Sequence, residues 1–202
     1  MTTRLVVLAS GNGSNLQAII DACARGEIDA QVVAVVSDRP GSRALARAAE
    51  HGIAAVPLVR CPDESRAAYD ARLADTVAMF APHWVVLAGW MRLLTMSFLG
   101  RFARRVVNLH PALPGEFPGT HAIERAHAAA LEGRIDRTGV MVHLVPDEGV
   151  DDGPVIATRT IAILPGESLE SLEARVHGVE HELLVSVLAS LCATPARTAR
   201  TA

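Results

Sequence analysis

In Val106-Val107-Asn108-Leu109-His110-Pro111, Asn108 and His110 stand two residues apart in a β-branched run, so a strand would send both side chains to the same face. An amide donor beside an imidazole can stabilise an oxyanion while handling a proton. The same pair could equally anchor a loop, because polar strand ends commonly satisfy nearby backbone. The turn Asp147-Glu148-Gly149-Val150-Asp151-Asp152-Gly153-Pro154 supplies carboxylates, although Asp and Gly also suit a solvated hairpin turn for backbone reasons alone. An aspartate folded over the pair is expected to raise the His110 pKa and hold the ring as a proton donor. A third element is Ser10-Gly11-Asn12-Gly13-Ser14-Asn15, placed between an apolar run and an amphipathic one. Free N–H groups at such a helix start can cradle phosphate or carboxylate, and the alternative is a tight turn capped by Ser14 or Asn15. A dinucleotide fingerprint needs Gly or Ala where this chain has Leu16, which weakens that reading.

The elements that must position these groups follow from hydrophobic pattern. Short apolar runs at Leu5–Ser10, Gln31–Ser37, Ala54–Leu58, Trp84–Ala88 and Val106–His110 read as strands. Helices are expected over Asn15–Arg25, Arg43–His51, Ser65–Phe80 and Met96–Phe102. The βαβα alternation predicts an α/β fold, a single-domain doubly wound and mostly parallel sheet covered on both faces. Beyond a Pro- and Gly-rich loop come a helix over Ala122–Leu131, strands over Val140–Val145 and Pro154–Ile163, and a long helix opened by Ser168. One domain is expected over 1–192, with a disordered tail over 193–202.

Composition narrows the chemistry. The 202 residues carry 19 basic side chains, all arginine, against 22 acidic ones. Without lysine there is no Schiff base, no Walker phosphate loop and no Ser–Lys nucleophile pair. Two Trp, one Tyr and four Phe, with a net charge of −3, disfavour nucleic acid as a partner. Cys23, Cys61 and Cys192 are odd in number and without CxxC spacing, as suits a reduced chain with no structural zinc. Leu5–Ala9 is too short for a signal core, so a cytoplasmic protein with no membrane partner is expected.

Four ordered motifs then resemble one family. Ser10-Gly11-Asn12-Gly13-Ser14-Asn15-Leu16-Gln17-Ala18, Val86-Leu87-Ala88-Gly89-Trp90-Met91-Arg92, Asn108-Leu109-His110-Pro111 and Asp151-Asp152-Gly153-Pro154 are similar to the phosphoribosylglycinamide formyltransferases, the folate-dependent transformylases of purine synthesis. The resemblance covers nearly the whole chain. It implies a formyltransferase-like Rossmann-type fold and transfer of a formyl group from 10-formyltetrahydrofolate, as co-substrate, to the amine of glycinamide ribonucleotide. It further implies that Gly13, Ser14 and Asn15 hold the 5′-phosphate and that Glu180 accepts from the ribose. Arg66 would meet the folate, and Met91, Arg92, Leu93 and Leu94, with Asn108, would line its pocket. Asn108 and protonated His110 would bind the oxyanion, with Asp151, chosen by the Asp-x-Gly-Pro spacing, raising the His110 pKa. No metal is implied, and a monomer or a homodimer is open.

Rival readings remain at this point. His177-Gly178-Val179-Glu180-His181 fits the HxxEH zinc-protease pattern, but no Asp or Glu follows Glu182 to complete the ligand set. A non-catalytic nucleotide-binding module would explain the cradle and leave Asn108, His110 and Asp151 idle. A 10-formyltetrahydrofolate hydrolase or another formyl-folate-dependent transferase would share the folate motifs.

Overall fold

Strand runs that are apolar at consecutive positions must be covered on both faces, and the sheet shows this alternation directly. Leu5 and Val7 of β1 (Thr3–Leu8) enter one core while Val6 and Leu8 enter the other, all four fully buried. The computed structural model describes residues 2–193. Its seven-stranded sheet has the order β3-β2-β1-β4-β5-β6-β7. β2 (Ala30–Ser37), β3 (Ala54–Pro57), β4 (Trp84–Leu87) and β5 (Val106–His110) run parallel with β1. β6 (Arg137–Leu144) and β7 (Val155–Ala162) extend the sheet antiparallel.

Helices α1 (Ser14–Ala24), α2 (Arg43–Glu50), α5 (Ala122–Leu131) and α6 (Leu169–Ala193) send side chains into one core, with Leu16, Ala44, Ile123 and Leu184 as examples. On the other face α3 (Arg66–Ala78) and α4 (Met96–Leu99) bury Tyr69, Leu73 and Phe98. The helix expected over Met96–Phe102 is α4 followed by a 3-10 turn over Gly100–Phe102. α6 is long and apolar enough to cross a bilayer by length and composition alone. It instead buries Leu172, Val176, Leu184 and Leu188 in the core with the sheet. Ala193, the first residue of the expected tail, is helical within α6, and the rest of that tail lies outside the described residues.

Two element bounds differ from the pattern reading for a physical reason. β1 ends at Leu8, where the bond from Ala9 N to Val36 O at 3.1 Å is the last rung of its ladder with β2 and Ser10 N donates at 2.9 Å to the carbonyl of Gly89, beyond the end of β4. β6 begins at Arg137 rather than Val140, extended by pairing of Thr138 with Ile161 and Gly139 with Thr160. Gly139 hides that extension in the sequence, since Gly is a weak strand former. The fold requires it there: a Cβ would lie 2.4 Å from Leu113 Cδ2, on the loop that follows His110.

The chain passes from β1 outward to β2 and β3, then returns to β4 on the other side of β1. In such sheets the ligand crevice opens at the carboxyl ends of the strands where the order reverses. Here the loops leaving β1 and β4 are tied together, since Ser10 Oγ accepts from Met91 N at 3.0 Å.

Candidate active site

The cradle forms because α1 starts without a side-chain cap. Its N-cap is Gly13, at φ 76°, and neither a side-chain hydrogen bond nor an acidic residue occupies the first turn. The capping role open to Ser14 or Asn15 is therefore not taken, and the first N–H groups remain available to an anion. Gly13 is needed twice over, for its positive φ and because a Cβ would stand 2.9 Å from Ala44 Cα. Arg47 of α2 fixes the loop through Asn12, donating to its carbonyl oxygen at 3.0 Å and its Oδ1 at 3.1 Å.

Glu180 joins this region from α6, 165 residues away, where Oε2 accepts from Asn15 Nδ2 at 3.3 Å. The same oxygen is 2.7 Å from His177 Nδ1. That contact raises the His177 pKa, against the smaller opposing effect of burial. Burial lowers the His181 pKa, and its Nε2 has no hydrogen-bond partner. Among the described residues no group of three or more His, Cys, Asp or Glu is placed to hold a metal ion.

Across the crevice Asn108, His110 and Asp151 meet. Asn108 Nδ2 donates to Asp151 Oδ1 at 2.9 Å, and Asp151 Oδ2 accepts from Gly119 N at 2.8 Å. His110 Nδ1 lies 3.3 Å from Asp151 Oδ2, while its Nε2 is 3.1 Å from Phe117 O. A carbonyl only accepts, so Nε2 carries a proton and Nδ1 faces the carboxylate. Asp151 raises the His110 pKa, as expected of a neighbouring carboxylate, yet the net direction for the imidazole is down. His110 is 4% exposed, and burial is the largest influence on its pKa; the charges of His143 and Arg125 lower it further, against the raising effects of Asp151 and the Phe117 carbonyl. Asp151 behaves in the opposite way. Burial pushes its pKa up, but His143, the Gly119 N–H and the charge of His110 together hold it below the ordinary aspartate value.

Two residues of this centre escaped the motif reading. His143 stands directly opposite Asn108 in the β5–β6 ladder, and its Nε2 is 3.1 Å from Asn108 Nδ2 and 3.6 Å from Asp151 Oδ1. The available signal was a lone imidazole within the apolar run Val140–Leu144. Arg125 of α5 donates to the carbonyls of Phe117 and Pro118 at 2.5 and 2.7 Å. It thereby restrains Phe117, whose φ of 44° is costly for a bulky residue, and Asp151 itself sits at φ 54°.

The residues expected to line a folate pocket separate into distinct environments. Met91 and Leu93 are 55% and 46% exposed, whereas Leu94 is buried. The Arg92 guanidinium turns away over the Tyr69 ring, 4.9 Å from its centroid, and stands 3.8 Å from Asp38 Oδ2. Buried Asp70 accepts from Thr95 N at 2.6 Å and fixes the end of this segment. Arg66 opens α3 behind the N-cap Ser65 and pairs with Glu148 at 2.9 Å.

Residues 3–188 match the family described as "Formyl transferase". Over 93% of its length the chain is 44% identical to the phosphoribosylglycinamide formyltransferase of Schizosaccharomyces pombe, covering 96% of that protein. It is 43% identical to the Escherichia coli protein of the same name over 91% of this chain and 84% of that one. The structure is similar to that of glycinamide ribonucleotide transformylase 1 from Geobacillus kaustophilus. The TM-score is 0.89 at 43% identity, covering 95% of this chain and 100% of that one.

Proposed function

The chain belongs to the formyl transferase family, and on that premise we propose that it transfers the formyl group of 10-formyltetrahydrofolate to the amine of glycinamide ribonucleotide. The contact of Asn108 and His110 with Asp151 at the crevice carries this reading.

In this reaction the ribonucleotide amine attacks the formyl carbon, so the chain need only position two substrates, stabilise the oxyanion and move a proton. Asn108 spends its two amide N–H bonds on Asp151 and His143 in the free protein, and would redirect one to the oxyanion. His110 offers Nε2–H to the same oxygen once Phe117 O releases it. Because burial leaves its pKa low, the Asp151 carboxylate is what allows the ring to take up a proton as negative charge develops nearby. Asp151 also stands ready to relay the amine proton toward N10 of the leaving tetrahydrofolate.

The uncapped start of α1 at Gly13, Ser14 and Asn15 would hold the 5′-phosphate, with Glu180 accepting from the ribose. Arg66 and the segment Met91–Leu94 would hold the folate. The exposed Met91 and Leu93 side chains offer apolar contact, while Arg92 acts through the backbone it anchors at Tyr69 and Asp38. Residues 1–192 serve as one catalytic unit, in a cytoplasmic enzyme that works as a monomer or a homodimer and requires no metal. The test is tetrahydrofolate formation from 10-formyltetrahydrofolate with and without glycinamide ribonucleotide. Strict dependence on the ribonucleotide is expected, and product formed equally fast without it would make the protein a hydrolase instead.

A further inference from the structure

The loop between β6 and β7 is fastened at two ends that serve different purposes. Its far end carries Asp151 into the contact with Asn108 and Gly119 already described. Its near end carries Glu148, whose Oε2 accepts from Arg66 Nη2 at 2.9 Å, 82 residues away in sequence. Glu148 Oε1 accepts from Met96 N, also at 2.9 Å. One carboxylate thus bridges the start of α3 and the residue chain just past Met91–Leu94, on either side of the segment assigned to the folate. Glu148 itself sits in a small turn closed by the bond from Gly149 N to Asp147 Oδ1 at 3.0 Å, and no bond of Glu148 reaches Asp151.

The chemistry of this bridge matches the chemistry of the co-substrate's tail. Tetrahydrofolate ends in a glutamate, and a carboxylate of that kind seeks a guanidinium and a backbone N–H, the two donors that Glu148 now holds. The Arg66 and Glu148 side chains are 43% and 45% exposed. An exposed pair of this sort contributes little net stability, so one carboxylate readily exchanges for another. Once released, Glu148 beside Asp147 would be repelled by the incoming anion and leave the rim.

We propose that Glu148 is a specificity-determining residue that occupies the seat of the folate tail carboxylate on Arg66, so that a glutamate-bearing folate enters by displacing it. The inference rests on the assignment of Arg66 to the folate made above. It makes Glu148 an internal competitor whose removal favours the tailed co-substrate alone.

The experiment compares wild type, Glu148→Gln and Arg66→Ala with two co-substrates, 10-formyltetrahydrofolate and the same compound lacking its glutamate. The Glu148→Gln change keeps an acceptor for Met96 N while removing the charge, and a melting temperature close to wild type verifies that the exposed substitution leaves the fold intact. Glu148→Gln is expected to lower KM for the tailed co-substrate by about threefold, the scale of one exposed ion pair. KM for the tail-less compound and kcat for both should stay unchanged. An unchanged or raised KM for the tailed co-substrate overturns the proposal, as does an equal fall for both compounds. A drop in kcat with both compounds also overturns it, because Glu148 would then be holding Asp151 in place. The Arg66 assignment is read separately: Arg66→Ala should raise KM only for the tailed compound. If it does not, the underlying assignment has failed, whatever Glu148→Gln shows.

Discussion

His110 and His177 each face a carboxylate, and their pKa values move in opposite directions. His177 lies 2.7 Å from Glu180 with about half of its side chain exposed (51%), and its pKa rises. His110 lies 3.3 Å from Asp151 with 5% of its side chain exposed, and its pKa falls. The partner type is the same, but the balance differs: at His177 the short bond to Glu180 is the largest effect, whereas at His110 burial is the largest, and the charges of His143 and Arg125 act with it against Asp151. The comparison extends to the two regions around these rings. The loop before α1 offers backbone N–H groups on the parallel half of the sheet. The Asn108–His110–Asp151 cluster is built from side chains delivered by β5, β6 and the following loop, where buried polar groups are costly unless mutually satisfied.

This contrast can be broken or sharpened by substitution. The largest effect should come from the side-chain centre: Asn108→Ala is expected to lower kcat by about 10²–10³-fold, the typical cost of one oxyanion donor. Near-normal turnover would remove Asn108 from the mechanism. At the cradle Gly13→Val should act on binding instead. A β-branched residue at φ 76° and 2.9 Å from Ala44 must shift the loop, and the strain of a left-handed residue corresponds to a rise in KM for the ribonucleotide on the order of tenfold. KM for the formyl-folate should hold, and parallel changes in both constants would show that the loop is not a dedicated ribonucleotide site.

The next test targets the opposed shifts themselves. Asp151→Asn removes the charge that partly offsets burial, so the titration midpoint of His110, followed by NMR, should move further down. An unchanged or higher midpoint would mean that the Asp151 charge does not raise the His110 pKa. The smallest effect is expected in stability at His177. Its folded pKa lies above the ordinary 6.5, so its contribution is fully present below that value and is lost as pH rises through the raised pKa. Thermal melts across this range should show wild type losing a small increment that His177→Gln lacks. Equal slopes for the two proteins would remove the Glu180 pairing as the source.

Much of the architecture is readable from residue order because its causes are local. Alternation such as Leu5-Val6-Val7-Leu8 requires a strand covered on both faces, and the positive φ of Gly13 belongs to the turn it occupies. Where a cause is not local, the reading stops short. Gly139 disguises the start of β6 because its purpose is to admit Leu113 from another loop. His143 looks like a core imidazole until the antiparallel register sets it opposite Asn108.

Residue order therefore decides which groups are on hand: a glycine loop ahead of a helix, an Asn/His strand end, an acidic turn and no lysine. It does not decide how they behave once assembled. Asn108 meets His143 and Asp151 across 35 and 43 residues of chain, and Arg125 stabilises the backbone carbonyls that flank the His110 loop. The sign of the His110 shift is the clearest case. A nearby aspartate can be inferred from spacing, but desolvation depends on everything else that closes around the ring, and only the folded chain excludes the water.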